Sequence, residues 1–227
     1  MDDITEMTAN DDYTNLRPLL ASWLSTVQHY CEHHEQFDNC WWHIERASIS
    51  ILAGAAWRLS GQNRQWAALE EFATRKRVNV DQDVNGRCDL YISNKDESYA
   101  IEAKQAWQSI GNRSSGATQV QASMKQAWDD AGKLSIDEAD YRLAVTFVVP
   151  YIPLSEGLDE KGKVDLKGVR EKVNTWLEDK RKFERARGKP TAYACYFPYD
   201  CSNYRNEQSG RLFPGVVIVT ERRLRGN

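Results

Sequence analysis

At 227 residues, 41% hydrophobic and 28% charged, the chain has the composition of a soluble globular protein, and its longest apolar runs, such as AVTFVVPYI, are too short to cross a bilayer. A formal net charge of -3 excludes a general attraction to nucleic acid and leaves any such attraction to local patches. Five cysteines (Cys31, Cys40, Cys88, Cys195, Cys201) without dense spacing suit reduced thiols better than a disulfide framework, and the acidic MDDITEMTANDD lacks the features of a secretory signal, so a cytoplasmic location is expected.

In chain order, residues 1–12 read as a flexible acidic leader. Apolar periodicity predicts a helix from Leu16 to about Tyr30. A second helix, over about 40–60, is started by Asp38-Asn39, patterned by Ile44, Ser48, Ile51, Leu52, Ala55 and Leu59, and stopped by Ser60-Gly61. Three strands follow, at 73–80, 86–93 and 97–106. A Gly and Ser loop over 109–116 leads to a helix over 117–132, with Val120, Met124, Ala127, Trp128 and Ala131 on one face. The segment 141–152 is apolar enough for a strand buried on both faces. A charged helix over 166–187, closed by Gly188 and Pro190, precedes two last strands at 191–198 and 214–222, separated by a polar loop holding Asn203, Asn206 and Gly210. The order predicts an α/β fold with a mixed central sheet flanked by helices. We expect a single domain over 1–227, with its core at about 40–150 and a helical and strand extension over 151–227.

The hairpin GRCDLYISNKDESYAIEAKQAW (86–107) carries the chemistry. A turn at Asn94–Glu97 sets Ser93 opposite Ser98 and therefore Asp89 opposite Glu102. Opposed carboxylates weaken an antiparallel pair, and period-two alternation adds Lys104 to the same face. A hard divalent cation such as Mg²⁺ would relieve the repulsion, since it seeks one or two carboxylates and leaves its other positions to water and phosphate oxygens.

Asp89 together with Glu102-Ala103-Lys104, twelve residues separating Asp89 from Glu102, resembles the PD-(D/E)XK nuclease superfamily, with Cys88 where the motif has its proline. The order helix, three strands, helix, strand is similar to that family's restriction endonuclease-like core. The resemblance implies a magnesium-dependent phosphodiesterase, a hydrolase acting as an endonuclease or exonuclease on nucleic acid, DNA sooner than RNA. It implies metal binding by Asp89, Glu102 and Glu45, with Mn²⁺ able to substitute for Mg²⁺, a water-orienting or charge-stabilising Lys104, and a glutamine, Gln119 or Gln121, on the following helix. A homodimer is plausible by the same resemblance, and no membrane partner is expected.

Residues 160–189 hold eleven Lys or Arg against six Asp or Glu. Lys180, Arg181, Lys182 and Arg185 are candidate nucleic-acid-binding residues, though the interspersed acids equally suit a solvated helix. Arg222, Arg223 and Arg225 add charge without specificity. Cys31, His33, His34, Cys40 and His43 do not match the common zinc spacings. Most tryptophans are expected to pack, with Trp107 as the candidate for stacking on a base. The alternatives are a nuclease-like module that binds nucleic acid or protein without cutting, and an interaction module of unrelated α/β fold.

Overall fold

The apolar segment Tyr141–Pro153 forms β5, buried along nearly all its length, and the sheet extends outward from it on both sides. The computed structural model describes residues 2–59, 65–79, 82–112, 114, 116–186 and 191–223. On one side β5 pairs in parallel with β4 (Ser98–Ser109); β4 pairs antiparallel with β3 (Gln82–Ser93), and β3 with β2 (Ala67–Asn79). On the other side the antiparallel neighbours are β9 (Val216–Arg223), β6 (Ala192–Phe197) and β1 (Ile4–Thr8). Two short strands, β7 (Arg205–Asn206) and β8 (Arg211–Leu212), make a hairpin attached to the end of β5. The sheet is mixed and largely antiparallel, and helices cover it, as the α/β expectation requires.

Parallel neighbours need a long crossover, and α3 (Thr118–Lys133) provides it between β4 and β5. Its buried stripe, Val120, Met124, Ala127 and Ala131, recurs at the three and four residue spacing of a helix packed on a sheet. α1 (Arg17–His33) buries Leu19, Leu20, Trp23, Leu24, Val27 and Cys31, and α2 (Glu45–Leu59) buries Ile49, Leu52, Ala53 and Ala56. Side chains alternate across β4. Gln105 bonds the carbonyls of Trp41 and His43 just before α2, whereas Lys104 pairs with Asp130 of α3. The two helical layers therefore lie on opposite faces. α4 (Leu154–Gly157) and α5 (Leu166–Glu178) complete the helices, and among the described residues no helix is long and apolar enough to cross a membrane.

Several boundaries differ from those read in the sequence. Residues 4–8, read as a flexible leader, form an edge strand paired from Ile4↔Phe197 to Thr8↔Tyr193. The second helix starts at Glu45 rather than about 40, because Asn39 Oδ1 accepts from the Trp41 and Trp42 amides and holds a turn there. β2 begins at Ala67, six residues before the expected strand. The charged helix expected to reach 187 ends at Glu178. Asp179 then accepts from the Arg181 amide and opens a 3-10 turn, Lys180–Phe183, that buries Lys182 and Phe183. Met1, the expected stops at Ser60-Gly61 and at Gly188 and Pro190, and Arg225 lie outside the described residues.

Candidate active site

The β3–β4 hairpin has the register that its turn implies, from Ser93↔Ser98 to Leu90↔Ile101. Asn94 Oδ1 accepts from the Asp96 and Glu97 amides and fixes that turn. The ladder then stops, and the direct opposition of Asp89 and Glu102 does not form. Repulsion between opposed carboxylates disfavours that rung, and β3 turns away from β4 before reaching it. Three side chains take over the alternate N–H groups along the unpaired edge of β4. Ile101 N meets Cys88 Sγ at 3.2 Å, Ala103 N meets Asp89 Oδ2 at 2.8 Å, and Gln105 N meets Glu45 Oε2 at 2.8 Å. Buried backbone donors demand acceptors, so the separation of the strands is what draws two carboxylates to adjacent points of one edge.

The other flank of β3 is irregular at the same place. The β2–β3 ladder runs through Glu70↔Leu90 and Phe72↔Cys88 without a rung between Glu71 and Asp89. Glu71 has φ 52°, a left-handed conformation that costs a non-glycine residue. Its carboxylate pairs with Arg46 and Arg87, which holds it below the usual carboxylate range. Asp89 thus has regular strand pairing on neither side.

Glu102 points to the α3 face and is 2% exposed. Burial, with Asp89 nearby, pushes its carboxyl up to about 7 against the opposing pull of Lys76 and Lys104. Lys76 Nζ lies 2.7 Å from Glu102 Oε1 and pulls against that rise. Lys104 Nζ donates to the Ala103 carbonyl at 2.9 Å and stands 3.2 Å from Asp130 Oδ2. Burial alone would lower its pKa, but Glu45, Asp130 and Asp89 outweigh this and raise it. Glu45, half-buried, is raised by desolvation in spite of Lys104 and the Gln105 amide. Asp130 is lowered, Lys133 and Lys104 overcoming its burial.

Four residues expected at the site, Asp89, Glu102, Lys104 and Glu45, are therefore one electrostatically coupled group. Gln119 is exposed on the first turn of α3, and Gln121 Nε2 donates to the Lys182 and Glu184 carbonyls. Both lie about 14 to 16 Å along the helix from Asp130 at 1.5 Å per residue, and the fold does not bring them to the carboxylates. Lys76 and Asp130 belong to the site and were missed. Asp130 carried a sequence signal, as an acid in the last turn of a predicted helix that had to cross back over the same sheet.

The basic residues are engaged within the chain. Lys180 pairs with Glu6, and Arg185 makes a two-point pair with Glu221 at 2.9 Å while lying 4.0 Å from the Trp128 ring. Lys182 is 9% exposed over the Trp176 ring, where burial drives it down to about 8. Only Arg181, paired with its neighbour Asp179, is widely open to solvent. Trp107 packs edge-on against Phe213. Burial pushes the Cys31 thiol up to about 11 and raises Cys40 as well, opposing the thiolate that zinc takes.

Among the described residues, no three His, Cys, Asp or Glu side chains are gathered tightly enough to hold an ion in this conformation. The donor chemistry nevertheless suits a hard cation, since the acidic groups at the fork, Asp89, Glu45 and Glu102, offer carboxylate oxygens. Comparison with protein-family models, with curated proteins and with solved structures finds no match to this chain.

Proposed function

We propose that this chain is a metal-dependent nuclease that hydrolyses phosphodiester bonds, DNA in preference to RNA by its resemblance to the PD-(D/E)XK superfamily. The observation that carries the reading is the parting of β3 and β4, which fixes the Asp89 and Glu45 carboxylates on alternate amides of one strand edge beside Glu102 and Lys104. Neutral acceptors would satisfy the same amides, so stability alone does not call for so many acidic groups at a broken ladder. Asp89, Glu102 and Glu45 would hold Mg²⁺ or Mn²⁺, which supplies polarisation of the phosphate and a lowered pKa for bound water.

Lys104 is raised by the surrounding carboxylates, so it remains an ammonium at neutral pH. That supports charge stabilisation on the non-bridging oxygens over proton abstraction. Its bond to the Ala103 carbonyl and its pair with Asp130 hold the side chain at the fork before substrate arrives, which lowers the ordering cost of the reaction.

The second reading is a nuclease-like module that binds without cutting. The Lys76–Glu102 pair favours it, since a cation of the chain already serves Glu102. A cleavage panel of single-stranded, duplex and branched DNA and RNA with Mg²⁺ or Mn²⁺ separates the two. The nuclease reading expects turnover that is lost in EDTA and in Lys104→Ala, with metal affinity largely kept in that variant. Equal turnover in Lys104→Ala removes this lysine from the mechanism, and no turnover on any substrate favours the binding module.

A further inference from the structure

We infer that Lys76 is a displaceable counter-ion: its ammonium stands in for the divalent cation at Glu102 and leaves when that cation binds. The inference rests on the metal-dependent reading above and adds a residue that lies outside the acidic strand and the E-x-K triplet.

Three observations carry it. First, the pair is close, with Nζ 2.7 Å from Oε1, and it is made by a lysine ammonium, a point charge on a flexible four-carbon stem. Second, the backbone at residue 76 is held on both sides, by Val84 of β3 and by a bridge to Leu134 after α3, with the Ser135 amide bonded to the Arg75 carbonyl. Exchange is therefore confined to the flexible side chain, which is 23% exposed and has an outward path. Third, the stem reaches Glu102 by crossing Gly86. A Cβ at that position would stand 3.0 Å from both Cγ and Cδ of Lys76, tighter than ordinary contact, so the glycine keeps the track clear. The arrangement offsets part of the cost of charging a buried carboxylate in the metal-free chain.

The test is a Mg²⁺ titration of protein carrying ¹³C at the lysine ε-carbons, followed by NMR, with the Lys76 signal identified by its loss in Lys76→Met. The Lys76 signal is expected to move in step with ion binding in the native chain and to stay fixed in Asp89→Ala. Calorimetry should find Mg²⁺ bound about tenfold tighter by Lys76→Met, which has no ammonium to displace. Gly86→Ala crowds the stem without removing the charge and should shift affinity in the same direction, so it serves if Lys76→Met does not fold. A Lys76 signal that stays still while Asp89-dependent binding saturates, or unchanged affinity in the variants, overturns the counter-ion role and leaves the nuclease reading intact. Absence of saturable, Asp89-dependent binding of Mg²⁺ or Mn²⁺ overturns both.

Discussion

Asp89 Oδ2 accepts a 2.8 Å hydrogen bond from the Ala103 amide, at the point where the β3–β4 ladder has already ended. The carboxylate therefore substitutes for a strand carbonyl as well as contributing charge. Its two roles separate by mutation. Asp89→Ala leaves an amide without its acceptor and should lose about 1 to 3 kcal/mol of stability together with ion binding. Asp89→Asn keeps an acceptor oxygen and should retain most of the stability while losing the ion. Urea unfolding beside calorimetry with Mn²⁺ checks both halves.

Glu102 sets a pH dependence. In the unfolded chain it releases its proton near 4.5, whereas in the folded protein it holds on to about 7, so between these values the native state binds more protons. Stability from this group is then complete below about 4.5 and is lost as pH rises through 7, by on the order of 3 kcal/mol. Glu102→Gln cannot titrate and should flatten the slope of unfolding free energy between about pH 4.5 and 7. An unchanged slope would assign the pH dependence to other groups.

Glu71 holds a left-handed backbone conformation inside β2. Glycine adopts it without the steric cost, and the side-chain pairs with Arg46 and Arg87 are largely exposed. Exposed pairs contribute little. Glu71→Gly should raise the urea midpoint with an unchanged m-value. If the strained turn of β2 also holds Asp89 away from regular pairing, the same variant should weaken ion binding, which calorimetry reads independently.

Arg185 and Arg181 should behave oppositely. Glu221 is 4% exposed and takes both of its hydrogen bonds from Arg185. Arg185→Ala strands a buried carboxylate and should cost about 3 kcal/mol of stability. Arg181→Ala removes an exposed charge and should leave stability nearly unchanged while lowering nucleic-acid affinity and its salt dependence. Thermal melts and binding isotherms at two salt concentrations distinguish the pair.

The sheet-forming segments and the acidic hairpin are legible because their signals are local. Asn94 to Glu97 is a polar turn between alternating strands, and one turn fixes the register of everything beside it. The apolar run at 141–152 allowed little besides a buried strand. What escaped depends on distant partners. ITEMT reads as acidic coil until Cys195 and its neighbours offer an edge. AALEEF has helical composition, yet β3 draws it into β2, since tertiary pairing overrides propensity. The charged helix was overextended because the cap at Asp179 competes with continuation only once Lys182 and Phe183 can be buried. Lys76 and Asp130 reach Glu102 and Lys104 through hairpin twist and a crossover helix, neither of which leaves a spacing pattern.

β1 fixes the order in which the molecule can be finished. Among the described residues, Ile4 to Thr8 find their strand neighbour in Tyr193 to Phe197, so β1 leaves the ribosome nearly two hundred residues ahead of the strand on which it docks. Until β6 has been made, the edges of β1 are unpaired, and nascent chains crowded on one message can mispair through them.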